Sequence, residues 1–219
     1  TGEGVDTYVD EEDSSNNVTG TLRTISNAIQ GDSSDGYNNL AYSVELDMSE
    51  VTGITKVANG DIRAIALCKV ELPKTVTAIE TQGFNMSSVY VSDSDIYSKL
   101  ESVTIPSGIT SIASNPFYNC SALKKISVAE GNENFSTALN GTVLFAKDGD
   151  GLKLVCTTAV AFDEIDFASS ELSSVTSLEE SAFKNAESIG TVKNLANITS
   201  FGNKVFEDKI GRASCRERV

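Results

Sequence analysis

Asp163, Glu164 and Asp166 lie within four residues of one another. Paired carboxylates are what glycoside hydrolysis uses, one protonating the leaving oxygen and the other attacking or activating water across about 5 to 9 Å. The local pattern opposes that use. Asp163 precedes an Ile165-Asp166-Phe167 alternation in which Asp166 takes the outward middle place, so the carboxylates do not converge. Asp148-Gly149-Asp150-Gly151 offers oxygens to calcium, but the pattern stops at Gly151 with no distal ligand, and it reads as a turn. Asp93 and Asp95, in VSDSDIY, read as a solvated loop tip in the same way.

The 219 residues contain no His, which removes imidazole-based triads, His-ligated zinc or haem, and the commonest neutral-pH base. Neither a phosphate-cradling Gly-x-x-x-x-Gly-Lys loop nor a dinucleotide fingerprint is present. Cys68, Cys120 and Cys156 form no CxxC pair and sit in apolar surroundings (ALCKV, YNCSAL, LVCTT), as buried small hydrophobes do. The expectation is a non-enzymatic chain with no cofactor and no metal.

What must hold these residues is a repeat. Apolar-x-apolar triplets followed by a Thr-containing tetrad recur as VEL/VTGI, VEL/VTAI, VTI/ITSI, IDF/VTSL and, more loosely, VKNL/ITSF. The tetrads start at Val51, Val76, Ile109, Val175 and Ile198, intervals of 25, 33, 66 and 23 residues. A unit of 23 to 25 residues with insertions implies a solenoid. In each triplet the outer two side chains face one way and the middle one the other. Pro73 and Pro106 end two of the strands, and Phe84, Phe117, Phe183 and Phe206 close their coils. One unit cannot bury its own apolar side, so stacked neighbours share a core. Val70, Leu72, Ile79, Val103, Ile105, Ile112, Phe117, Leu123, Ile126 and Val128 are expected in it.

The segment LESVTIPSGITSIASNPFYNCSALKKISV, residues 100 to 128, resembles the repeat of the BspA-like leucine-rich-repeat proteins, L-x-x-I-x-I-P-x-x-V-T-x-I-x-x-x-A-F-x-x-C-x-x-L. Residues 165 to 188 fit again, with Ala186 where the family usually has Cys, and residues 126 to 155 resemble the hairpin-bearing variant of that family. The resemblance spans residues 40 to 206. It implies a leucine-rich-repeat solenoid, α/β or mainly β, with a short-stranded parallel sheet, an inserted β-hairpin and an N-terminal capping helix. It further implies a bacterial chain, displayed at the cell surface or secreted, as a lipoprotein or otherwise, and engaged in adhesion.

Residues 1 to 20 carry six carboxylates and little apolar content, as an acidic, disordered linker does. Residues 21 to 39 are expected to form the cap, with a helix over Thr21 to Gln30 whose Leu22, Ile25, Ala28 and Ile29 share one face. The solenoid is expected over 40 to 209, with the hairpin insertion at 129 to 160. Residues 210 to 219, IGRASCRERV, hold three Arg where the preceding chain holds two, and resemble one translated frame of a sequencing adapter, a non-native tail.

With 31 acidic against 17 basic residues the net charge is −14, which repels nucleic acid, and no apolar run of about 18 residues exists to span a bilayer. The expected function is recognition of a protein or other macromolecule, with a structural spacer as the alternative and a carboxylate hydrolase behind both. The expected binding face is the row of middle residues Glu45, Glu71, Thr104, Ser127 and Asp166 on one parallel sheet. The 81 to 99 loop and the 143 to 156 hairpin stand second.

Overall fold

The computed structural model describes residues 21–30, 42–86, 89–91, 94–96 and 98–207. The linker over 1–20, part of the cap, Asp93 and the tail over 210–219 lie outside the described residues.

Each apolar-x-apolar triplet forms a strand, because alternate side chains can then be buried against a stacked neighbour. The first coil carries β1 (Val44–Asp47) and β2 (Lys56–Val57), the second β3 (Leu67–Glu71), β4 (Ala78–Ile79) and β5 (Phe84–Asn85). An antiparallel pair, β6 (Val89–Val91) and β7 (Ser94–Ile96), follows within the 81 to 99 segment. The third coil carries β8 (Ser102–Ile105), β9 (Ser111–Ile112) and β10 (Phe117–Tyr118), and the fourth opens with β11 (Lys125–Val128). After it come β12 (Phe135–Ala138), β13 (Val143–Asp148) and β14 (Gly151–Thr157). The last coils carry β15 (Ala161–Asp166), β16 (Val175–Leu178), β17 (Ser188–Lys193) and β18 (Ser200–Phe201).

Three walls of a mainly β solenoid result. The triplets build a parallel sheet ordered β1-β3-β8-β11 and a separate parallel pair, β15-β17. The tetrads build β4-β9 and, later, β16-β18, with β14 beside them, while the closing aromatics build β5-β10, where the Phe84 and Phe117 rings lie 5.0 Å apart. In the first coil the strand that joins this wall is β2, Lys56–Val57 opposite Ala78–Ile79, so the expected tetrad at Val51 is corrected to Ile54–Val57, and Val51 is exposed. One corner is left-handed in coil after coil: Gly60 (φ 65), Gln82 (φ 55), Asn115 (φ 49), Ser181 (φ 58) and Lys204 (φ 54). Non-glycine residues pay about 1 to 2 kcal/mol for that conformation. The corners stack, the Gly60 N–H donating to Gln82 O at 2.8 Å, the Gln82 N–H to Asn115 O at 3.1 Å and the Ser181 N–H to Asn203 O at 3.0 Å.

An open end exposes amides that have no preceding coil to pair with. The helix α1 (Thr21–Gln30) covers them with side chains: Ser26 Oγ accepts the Arg63 N–H at 2.8 Å and Gln30 Oε1 the Ile65 N–H at 2.7 Å. Leu22, Ile25 and Ile29 pack onto the core, and Arg23 donates to Asn59 O at 2.9 Å. Gly60 (φ +65) lies beside it, and a Cβ there would press on the tip of the Arg23 guanidinium, 2.8 Å from Nη2.

Of the ten expected core residues eight are buried, while Ile112 and Val128 are half-buried because each closes the edge of its sheet. The expected hairpin is present, β13 turning into β14 through Gly149 and Asp150, but it does not simply protrude. The buried apolar residues divide into two clusters, and the hairpin stands between them. Val143, Phe145 and Leu154 belong to the C-terminal cluster, and Leu144, Val155 and Cys156 to the N-terminal one. A strand buried on both faces reads as a continuous apolar run, which is what VLF and LVC are.

Candidate functional site

The solvent face of β1-β3-β8-β11 follows from its register. Glu71 pairs with Thr104 and Thr104 with Ser127, so these three expected residues form one cross-strand row, which Asp47 extends on β1. Glu45 lies on the same face one row away, aligned with Lys69, Ser102 and Lys125, because Leu46-Asp47, and not Val44-Glu45, stands opposite Val70-Glu71. Asp166 is not on this sheet. It ends β15, in the separate pair with β17, opposite Lys193. The expectation of one sheet carrying all five residues is therefore corrected: the β12 to β14 segment interrupts the triplet wall after β11.

The face is also less acidic than the triplets alone imply. Its carboxylates are Glu45, Asp47 and Glu71 and its cations Lys69 and Lys125, and Lys69 Nζ bonds Glu71 Oε1 at 2.9 Å. That ion pair and the nearby carboxylates hold the Lys69 ammonium above its ordinary pKa. Asp47 accepts the Ser49 N–H at 2.9 Å, which lowers its carboxyl. Lys69 and Asp47 escape a reading centred on the middle of each triplet, although both follow from carrying the strand period one step further.

Asp166 has structural work of its own. Its Oδ1 accepts Asn194 Nδ2 at 2.7 Å and the Ala168 N–H at 2.8 Å, and these bonds, the Asn194 one foremost, hold the carboxyl below its usual range. Glu164 is ion-paired with Lys193. Both carboxylates are thus engaged in contacts within the β15-β17 pair and its following turn. In the hairpin turn, Asp148 accepts the Ser177 hydroxyl at 2.6 Å and Asp150 is exposed. Among the described residues no three acidic or thiol side chains converge as a metal site requires. No described helix is long and apolar enough to cross a membrane.

At the edge of the face lies an open, largely polar cleft of about 400 Å³. Strand β11 forms one side, and Thr137 to Gly141 with Glu171 the other. The Leu139 N–H donates to Glu171 Oε1 at 3.0 Å, fixing a turn in which Leu139, Asn140 and Gly141 all have positive φ. Ser127 is the one expected site residue that reaches this cleft. The turn is not legible locally, because Leu139 does not announce a left-handed backbone.

The repeat geometry agrees with comparison to known proteins. The sequence profile of the BspA-type leucine-rich repeat region matches the chain in six copies, over residues 51–139 and 156–212. The chain belongs to this family. The profile passes over residues 140–155, which hold nearly all of the dividing hairpin, so the coils are family-typical and the septum is an insertion between copies. Among solved structures, a leucine-rich cell surface protein from Faecalibacterium prausnitzii is 25% identical at a TM-score of 0.52, over 71% of this chain and 37% of that one. Pneumococcal vaccine antigen PcpA is 22% identical, at a TM-score of 0.49, over 74% of this chain and 42% of that one. The BspA-type chain thus spans well under half the length of either neighbour. No curated protein sequence matches it.

Proposed function

We propose that this BspA-type repeat chain is a non-catalytic recognition module, displayed at a bacterial cell surface or secreted, that binds a protein or other macromolecule through the β1-β3-β8-β11 face. The observation that carries the reading is the ordered double row on that face, Glu45-Lys69-Ser102-Lys125 beside Asp47-Glu71-Thr104-Ser127. Four paired strands hold eight polar side chains in fixed register over a buried layer, which a flexible loop could not do. Mixed charge on the face suits a mixed or basic partner surface, and the net charge of −14 steers basic partners toward it. The F. prausnitzii neighbour is described as a cell surface protein, which supports the same compartment here.

The test pairs wild-type protein with the Glu45→Lys, Glu71→Lys double variant against a panel of secreted and surface proteins of graded isoelectric point, by surface plasmon resonance. At least one saturable binder should lose about tenfold or more in affinity with the melting transition unchanged. If every binder is retained equally by the variant, or the panel yields none, the face is not a recognition surface and the chain serves as a spacer.

A further inference from the structure

The cleft beside β11 is closed to a further strand. A Cβ on Gly141 would lie 2.6 Å from Ile126 O, so the Leu139–Gly141 turn already sits where a ladder partner would pair. What the cleft offers is side chains. Lys125 and Ser127 come from β11, Thr137 from β12, Asn140 from the turn and Glu171 from the facing wall. Among the described residues, no hydrogen bond or ion pair engages the side chains of Lys125, Ser127, Thr137 or Asn140. Glu171 gives one oxygen to the Leu139 N–H, at 3.0 Å. Lys125 N–H and Ala129 N–H donate toward β8, to Glu101 O and Ile105 O, so the alternating ladder turns the Val128 N–H away from β8.

These groups select a class of ligand. One ammonium and one carboxylate line the cleft without pairing to each other, so the site as a whole is neutral and favours neither an anion nor a cation. The ammonium only donates, the carboxylate only accepts, and the two hydroxyls and the carboxamide do both. A sugar hydroxyl is itself donor and acceptor, and neighbouring hydroxyls on a ring need such mixed partners at close spacing. Val128 and Ala138 add small apolar surface for the C–H face of a ring. The volume of about 400 Å³ lies at the low end for small-molecule sites, roughly 300 to 1,000 Å³.

The wall is also fixed in advance. Leu139 (φ 50) and Asn140 (φ 59) hold a left-handed backbone in succession, a strain that persists only where the surroundings over-determine it. Here Glu171 grips the Leu139 N–H, and Thr142 Oγ1 donates to Leu139 O at 2.8 Å. Preorganisation of this kind is what a small polar ligand most needs from its site.

We propose that this cleft binds a short neutral saccharide of a glycan. Ser127, Thr137 and Asn140 exchange hydrogen bonds with its hydroxyls, between Lys125 as donor and Glu171 as acceptor. The proposal rests on the recognition reading and deepens it by giving the edge of the face a ligand class.

The test titrates the whole chain, isotope-labelled, with the methyl glycosides of glucose, galactose, mannose and N-acetylglucosamine. At least one should shift the amides of Ser127, Val128 and Thr137 to Gly141 saturably, with a dissociation constant of about 0.1 to 10 mM. Raising sodium chloride from about 0.05 to 0.5 M should leave that constant unchanged, since no net charge is involved. Thr137→Val keeps the shape and loses the hydroxyl, and Asn140→Gly loses the carboxamide and suits the left-handed backbone. Each should weaken binding about fivefold or more with the melting transition retained. Ser136→Ala, a hydroxyl lost one residue away on the other side of β12, should leave it unchanged. The proposal is overturned if none of the glycosides shifts these amides up to about 50 mM, or if sulfate or N-acetylneuraminate binds more tightly than all of them. It is equally overturned if a capped alanine tetrapeptide shifts the same amides as strongly, or if Ser136→Ala weakens binding as much as Thr137→Val. Glycoside failure alongside an intact effect of Glu45→Lys, Glu71→Lys on a surface partner removes the cleft site and leaves the recognition face standing.

Discussion

Two adjacent residues should destabilise two different halves of the molecule. Leu144 is 0% exposed and belongs to the N-terminal apolar cluster, while Phe145, 2% exposed, belongs to the C-terminal one. Truncating a buried leucine to alanine costs about 2 to 5 kcal/mol and a buried phenylalanine about 3 to 5 kcal/mol, transfer and cavity together. In a stack whose coils contact only their neighbours, such a loss is felt first by the coils that share the damaged core. Leu144→Ala should therefore lower protection of β3, β8 and β11 amides in native-state hydrogen exchange, by between about thirtyfold and several thousandfold at about 1.4 kcal/mol per tenfold. Protection in the β15-β17 pair should fall much less. Phe145→Ala should reverse the pattern, opening β15 to β18 and sparing β3 and β8. The hydrogen bonds that cross the divide, such as Thr157 N–H to Ala182 O at 2.9 Å and Ala159 N–H to Leu123 O at 2.7 Å, are few enough to leave the halves distinguishable. Equal loss of protection in both halves from either variant would refute the two-core reading and make the hairpin an ordinary part of one core.

The remaining predictions concern single sites. Ile105→Asp, at a fully buried position on β8, should cost several kcal/mol and abolish the cooperative melting transition seen by circular dichroism; wild-type melting would refute the strand register. Glu207 accepts from Lys184 at 2.8 Å and from Lys204 at 2.9 Å, and these bonds pull its carboxyl down to about 2. A depressed folded pKa means stability present above the ordinary carboxyl value of 4.5 and lost as pH falls through about 2. Carboxylate chemical shifts should show that midpoint, and Lys184→Met should raise it. Cys120 and Cys156 are buried in the N-terminal core, where burial pushes both thiols up, so alkylation at pH 8 followed by peptide mass spectrometry should label the half-buried Cys68 first. Early labelling of Cys156 would contradict the closed septum.

The coils themselves are legible in the amino-acid order because two short-range rules act together: alternation within each triplet, and a Thr-containing tetrad starting six to ten residues after the triplet starts. Val70, Val103 and Ile126 align on neighbouring strands of the structure just as they align in the repeat. What escapes that reading depends on contacts between coils. Whether Asp166 shares a sheet with Glu71 is decided by what stands between β11 and β15, and no pattern within either triplet encodes it. The first triplet aligns two residues later than its VEL letters suggest, which moves Glu45 by a row, and a left-handed corner is visible in the sequence at Gly60 and Asn115, while Gln82, Ser181 and Lys204 adopt it under the demand of the stack. The hairpin lies between these cases. Its DGDG turn marks its position, and the unbroken VLF and LVC runs already carry the mark of burial on two faces.

That double burial links the packing of the molecule to its surface. A hairpin that fills the middle of the stack must displace whatever would otherwise join the coils on either side. On the tetrad wall β14 replaces a coil strand and pairs directly with β16, so little is lost there. On the triplet wall no strand replaces the missing one. The chain passes from β12 to β13 through Leu139–Gly141, a turn too short to form a ladder, which meets the Ile126 carbonyl and leaves the Ile126 and Val128 amides without a paired strand on that side. A deletion that removes 140–155 and rejoins the repeats should let β15 approach β11, merge the two apolar clusters and close the cleft. In such a variant the exchange of the Ile126 and Val128 amides should slow without any ligand. If it stays as fast as in the intact chain while the coils remain folded, the open cleft is not a consequence of the septum, and the two features have to be explained separately.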